Sequence, residues 1–207
     1  MNHELYENAR WLIGAIARGL NARRGEGVAL VLERMAAQDL GEGGFREPAP
    51  STLPVLKHLP QCIGEAMLIE PDLAAAIAAI EEDLAWRQSS AYSDALLGEG
   101  FVANYGWTEI IGPRGFFPGD DFLLGLLMLG PGQHYRDHFH PAPELYWPLT
   151  SASHWSRDRQ AFVEKPQGIT IWHPPMIMHA TKSGETPLLA VWSWTSDTLT
   201  PAKLAEG

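Results

Sequence analysis

Along the first ninety positions apolar residues recur at helical spacing, and along the last hundred they recur at strand spacing. Leu5, Ala9, Leu12, Ile16 and Leu20 fall three or four apart, which is one face of a helix. Gly25 to Gly27 interrupt that pattern before a second run, Val28 to Ala37, and the Gly- and Pro-rich stretch from Gly41 to Pro54 reads as a loop. Pro71-Asp72 opens a third helix predicted over Leu73 to Trp86, because proline suits a first helical turn and the alanine-rich interior has high helix propensity.

From about residue 100 the runs are short and rich in β-branched, aromatic and leucine residues. Phe101 to Ile111, Phe122 to Leu129, Glu144 to Leu149, Gly168 to His173 and Leu188 to Thr195 are predicted strands, punctuated by Gly-Pro, Pro-Gly and Gly-Glu-Thr-Pro turns. The expected fold is mainly β with α. Residues 1–98 form a helical region packed on a C-terminal β-barrel of residues 99–207, since three or four helices make a thin core alone.

Composition narrows the functions. The chain has 207 residues, 45% hydrophobic and 19% charged, so it can bury a core and is not disordered. A net charge of −10 argues against nucleic acid, which needs clustered Lys and Arg. The acidic N-terminus and the interruption at Arg18 match neither a secretory leader nor a membrane span, so a cytoplasmic protein is expected. Cys62 is the one cysteine, which excludes an internal disulfide framework and a thiolate zinc site. Its apolar surroundings predict a buried, inert thiol. The expected partner is a small molecule, and a homodimer is compatible with the sequence.

Six of the eight histidines lie beyond residue 130. His138 and His140 share a face if the segment is a strand, and Glu144 and Tyr146 share one after the Pro141-Ala142-Pro143 turn. His179, from a distant strand, completes four candidate ligands. Imidazoles with a carboxylate suit one divalent transition metal, Zn, Fe, Mn, Co or Ni, better than Ca or Mg. His134 is placed near the ligands, and His173 is read as structural. Trp192 and Trp194 share a strand face, and with Trp172 they are candidates to hold a cationic group against their rings, or else fill the core.

These residues resemble the cupin superfamily. Gly132, His138, His140 and Glu144 fall in register on its first motif, with Ser151 where a final Gly stands. Gly168, Pro174 and His179 match the second, with Met176 in place of a Gly and Ser183 in place of an Asn. The departures fall on turn positions and leave the ligands intact. Tyr135, the His-x-His pair, Glu144-x-Tyr146 and the Pro187 to Trp192 strand are similar to the dimethylsulfoniopropionate (DMSP) lyase branch. That resemblance implies a metal-dependent carbon–sulfur lyase releasing acrylate and dimethyl sulfide. It implies Tyr135 as the base, with Tyr146 as the other candidate. Strand alternation alone puts Tyr135 opposite His138, so the assignment requires a bulge between them. An iron-dependent dioxygenase and a non-catalytic ligand-binding cupin are the competing readings.

Overall fold

A computed structural model describes residues 1–205. Among these, five α-helices precede and ten β-strands follow, with short 3₁₀ turns between. Helix α1 (His3–Asn21) starts where the Asn2 side chain accepts the Leu5 amide at 3.2 Å, and it buries the stripe Leu5, Ala9, Leu12, Ile16 and Leu20. Helix α2 (Val28–Ala36) follows Gly27, whose φ of +77° suits glycine. The loop after it leads into α3 (Leu59–Ala66), a short helix the apolar pattern did not separate, with Cys62 buried in it. Burial pushes that thiol up to about 12, as an inert cysteine requires.

Helix α4 (Pro71–Ala78) begins at the expected proline but ends eight residues before Trp86. Glu81, Glu82 and Asp83 would set three carboxylates in the last turn of a longer helix, against its dipole. They form a 3₁₀ turn instead. Leu84 to Trp86 then run extended beside Ser51, with Ser51 N donating to Leu84 O at 3.3 Å and Trp86 N donating to Ser51 O at 3.2 Å. Helix α5 (Asp94–Leu97) is one turn long.

The strands are β1 (Tyr105–Ile111), β2 (Leu123–Leu129), β3 (His134–Phe139), β4 (Glu144–Pro148), β5 (Ser153–Arg157), β6 (Val163–Lys165), β7 (Ile171–His173), β8 (His179–Ser183), β9 (Leu188–Trp194) and β10 (Lys203–Leu204). They make two antiparallel five-stranded sheets, ordered β1-β2-β9-β4-β7 and β10-β3-β8-β5-β6. The two sheets face each other across a barrel interior. The first sheet is buried on both faces, and alternation sorts its side chains. Leu124, Leu126, Met128, Leu145, Trp147, Leu189 and Val191 join the helices in one core. Leu123, Leu127, Leu129, Tyr146, Ile171 and Trp192 point into the barrel, where they meet Tyr135 and Trp155 of the second sheet.

Arg23 fastens the two layers. Its guanidinium lies 4.0 Å from the Trp147 ring centre, pairs with Glu70 at the start of α4, and donates to Gly168 O at 2.5 Å. No helix among the described residues is long and apolar enough to cross a membrane.

Candidate metal centre and its cavity

The four candidate ligands come from both sheets. His138 on β3 and His179 on β8 are directly paired across the second sheet. His140 lies just past β3, and the Pro141-Ala142-Pro143 turn carries the chain to the first sheet, where Glu144 opens β4. Two backbone hydrogen bonds fix that crossover: Met176 N donates to His140 O at 2.9 Å and Thr195 N donates to Pro143 O at 3.1 Å. All four side chains are buried, at 1–3% exposure, so they face one another and not solvent.

Their orientation fits a metal. Each imidazole gives Nδ1 to a backbone carbonyl: His138 to Arg136 O at 2.8 Å, His140 to Ala142 O at 2.9 Å and His179 to Ile177 O at 3.0 Å. With Nδ1–H committed, the Nε2 lone pair of each ring is the free donor atom. One candidate ligand atom from each of the three histidines lies within 4.8 Å of the others. Glu144 Oε2 stands 3.2 Å from His140 Nε2 and 3.1 Å from His179 Nε2. In neutral rings of this tautomer those are lone-pair-to-lone-pair contacts, favourable only around a shared cation. His179 Nε2 is buried with no hydrogen bond, as a ligand atom would be. Three imidazoles and one carboxylate are the donor set of a divalent transition metal.

The electrostatics agree. Burial alone would raise the Glu144 carboxyl, but positive charge at His140 and His179 holds it well below the usual carboxylate range, so the group is ionised wherever a cation sits between it and the rings. Burial, with His179 beside it, pushes His138 well below an ordinary imidazole, so the ring is neutral and able to ligate. Trp194 Nε1 donates to Glu144 Oε1 at 2.8 Å, and its ring lies over His140 with centres 4.4 Å apart. It therefore supports two of the candidate ligands at once.

A cavity of about 400 Å³ opens from this cluster. Tyr135 and Tyr146 both line it, buried at 5% and 4%. The bulge that Tyr135 needs is present. Pairing runs Tyr135 with Thr181 and then His138 with His179, so β3 spends three residues where β8 spends two. The Tyr135 ring accordingly stacks on His138, with centres 4.0 Å apart and planes 15° apart. Burial pushes both phenols well above their ordinary value; for Tyr135 neighbouring Tyr105 adds to this, and for Tyr146 the charge of Glu144 does.

The tryptophans divide. Trp192 and Trp194 line the cavity, with ring centres 6.1 Å apart. Trp172 does not join them. It pairs with Leu145, shares that residue's outward face, and covers Gly27 at the start of α2, where an added Cβ would overlap its ring. Alternation with His173, which points inward, forces this. His173 stacks on His179 with centres 4.1 Å apart, so it backs a ligand from inside the barrel. His134 packs edge-on to Phe162 instead of a ligand.

Sequence reasoning missed part of the cavity wall. Trp107 on β1 stands at 88° to Trp192, with centres 6.1 Å apart, on the same side of the strand as Tyr105 and Glu109. Strand alternation from Tyr105 contains that signal. Arg87, Gln88, Ser89, Ser90 and Tyr92 contribute from the segment before α5, which has no periodicity to read. On the opposite rim, Asp121 accepts from Thr198 N at 3.0 Å and Asp197 N at 3.2 Å, holding the C-terminal segment against the mouth.

Comparison with known proteins agrees with this architecture. The sequence model of the DMSP lyase family matches residues 29–190. The DMSP lyase DddQ of Ruegeria pomeroyi is 28% identical over 169 residues, which cover 73% of this chain and 83% of that one. A chain from the crystal structures of the DMSP lyases RdDddP and RnDddQII superposes with a TM-score of 0.76 at 25% identity, covering 97% and 98% of the two chains. The crystal structure of Ruegeria pomeroyi DddQ gives 0.74 at 21% identity over 100% of both, and bears on the fold alone.

Proposed function

This chain belongs to the dimethylsulfoniopropionate lyase family, and from that premise we propose that it cleaves DMSP to acrylate and dimethyl sulfide by β-elimination. The observation that carries the reading is the common face: three inward Nε2 atoms, Glu144 and the Tyr135 ring meet in one cavity walled by tryptophans. His138, His140, Glu144 and His179 would hold a divalent transition metal, Zn, Fe, Mn, Co or Ni, which would supply Lewis-acid polarisation of a substrate carboxylate and a positive field favouring a phenolate.

The protein's own residues do the rest. Tyr135 takes the proton next to the carboxylate, the C–H electron pair becomes the new C=C bond, and the C–S pair leaves with sulfur. A neutral sulfide departs without a general acid. Tyr135 suits this role better than Tyr146 because its ring stacks on His138 away from the carboxylate, whereas Glu144 lies against Tyr146 and opposes charge on it. Tyr146 then serves as an orienting group beside the ligands. Trp107, Trp192 and Trp194 hold the sulfonium, at roughly 0.5–2 kcal/mol per cation–π contact. The reading places the enzyme in the cytoplasm, acting on a small diffusible substrate.

The test is headspace dimethyl sulfide and acrylate from metal-loaded protein given DMSP or its uncharged thioether analogue. DMSP is expected to turn over and the thioether, a far poorer leaving group, to remain intact. Tyr135→Phe is expected to lose about 10²–10⁴-fold, the usual contribution of a general base. Near-normal turnover in Tyr135→Phe together with a collapse in Tyr146→Phe would exchange the two roles. No product from DMSP with any of the five metals would remove the lyase reading.

A further inference from the structure

Tyr92 enters the cavity from outside the barrel. Arg87 pairs with Trp107 through two backbone bonds, Arg87 N to Trp107 O at 2.7 Å and Trp107 N to Arg87 O at 3.0 Å, and the Gln88 side chain donates to Tyr105 O at 2.7 Å. The segment is thus sewn along β1 before a turn at Ser89 brings Tyr92 over the mouth, where Tyr92 N donates to Ser89 O at 3.1 Å. Its ring packs at 65° to Tyr135 with centres 5.7 Å apart, and the two hydroxyls lie 2.6 Å apart.

Each elimination leaves one proton behind, because DMSP gives acrylate, dimethyl sulfide and H⁺. A buried base must release that proton before the next turnover. His138, stacked on Tyr135, cannot take it: Nδ1 is bonded to Arg136 O and Nε2 faces the metal position. Tyr105 and Tyr146 are themselves buried, at 4% each. Tyr92, as a residue, is only half-buried, and it lines the cavity. It joins Tyr135 to the cavity mouth.

We infer that Tyr92 is the positioning residue for Tyr135: its hydroxyl orients the Tyr135 oxygen toward the substrate and carries the abstracted proton out to solvent. The inference rests on the lyase reading above and on Tyr135 as its base. The step balances: the α-proton moves to Tyr135 oxygen, Tyr135 passes a proton along the hydrogen bond, and Tyr92 loses one to water.

Tyr92→Phe keeps the ring and removes the link. In this variant metal content and KM are expected to hold, while kcat falls about tenfold or more, within the roughly 10²–10⁴-fold that a whole base contributes. The solvent deuterium isotope effect on kcat is expected to grow, because proton departure becomes limiting, and loss of ring packing would not move it. Independently of activity, the short hydroxyl–hydroxyl bond is expected to give a downfield proton resonance in the zinc-loaded protein, absent from both Tyr92→Phe and Tyr135→Phe. Unchanged kcat, a change confined to KM, or an unaltered isotope effect overturns the inference while leaving the lyase standing. Wild-type protein that releases no dimethyl sulfide removes the lyase reading, and this one with it.

Discussion

Met176 sits in the left-handed backbone region, with φ of +62°, at the position where the cupin pattern has glycine. Its side chain is 56% exposed, so no packing compensates for that conformation, yet its amide is needed on His140 O. Met176→Gly is therefore expected to raise stability by about 1 kcal/mol, the left-handed cost of an L-residue less the extra chain entropy of glycine. Met176→Ile, β-branched in the same region, is expected to lose about 1–2 kcal/mol. Equal urea midpoints for the two variants would contradict this. A related shift occurs in the first motif, where Ser151 replaces glycine and the next residue, Ala152, takes φ of +56°. At this scale the clustering of His138, His140 and His179 was legible because a metal shell demands fixed residue types at fixed spacing. Trp172 was misread because residue type alone does not say which face of β7 it occupies; its neighbour His173 does. Tyr92 was invisible because what matters about it is a contact across 43 residues.

The five strands legible in the sequence are the five strands of one sheet, β1, β2, β4, β7 and β9. Both faces of that sheet are buried, so its strands read as continuous apolar runs. The partner sheet is not legible in the same way. His134–Phe139 and Ser153–Arg157 mix buried with half-buried and exposed positions, Val163–Lys165 has no buried position, all three carry charge, and only the histidine motifs pointed to β3 and β8. Helix ends were set by local electrostatics, as α4 shows, and not by apolar period. Within α1 two glycines make opposite predictions. A Cβ on Gly19 would overlap the Trp147 ring, whereas one on half-buried Gly14 meets only the movable guanidinium of Arg18 at 3.0 Å. Gly19→Ala is expected to cost about 1–3 kcal/mol by overpacking the helix–barrel contact. Gly14→Ala is expected to gain about 0.5–1 kcal/mol from helix propensity. Denaturant melts of the pair decide it; a gain in both would mean that α1 does not press on Trp147.

The helices and the first sheet share one core, running from Leu12 and Ile77 to Leu126 and Val191. The helices have no core apart from this shared one, and the sheet that closes it also lines the barrel interior, so a single cooperative transition is expected, with far- and near-ultraviolet circular dichroism melting together. Two resolved transitions would show that the helical region folds on its own. The metal cluster stands apart from that core, inside the barrel, so its contribution adds to a fold already closed. Removing the metal is expected to lower the melting temperature without unfolding the protein, by the linkage of a ligand that binds only the native state. The whole-molecule claim is that this barrel exists to place a substrate carboxylate, a tyrosine base and a sulfonium-holding wall around one metal position. Its most direct test is dimethyl sulfide release from DMSP by chelator-stripped protein as metal is titrated back. The account predicts negligible release without metal and full recovery at one equivalent per chain. Full activity in the metal-free protein would contradict it.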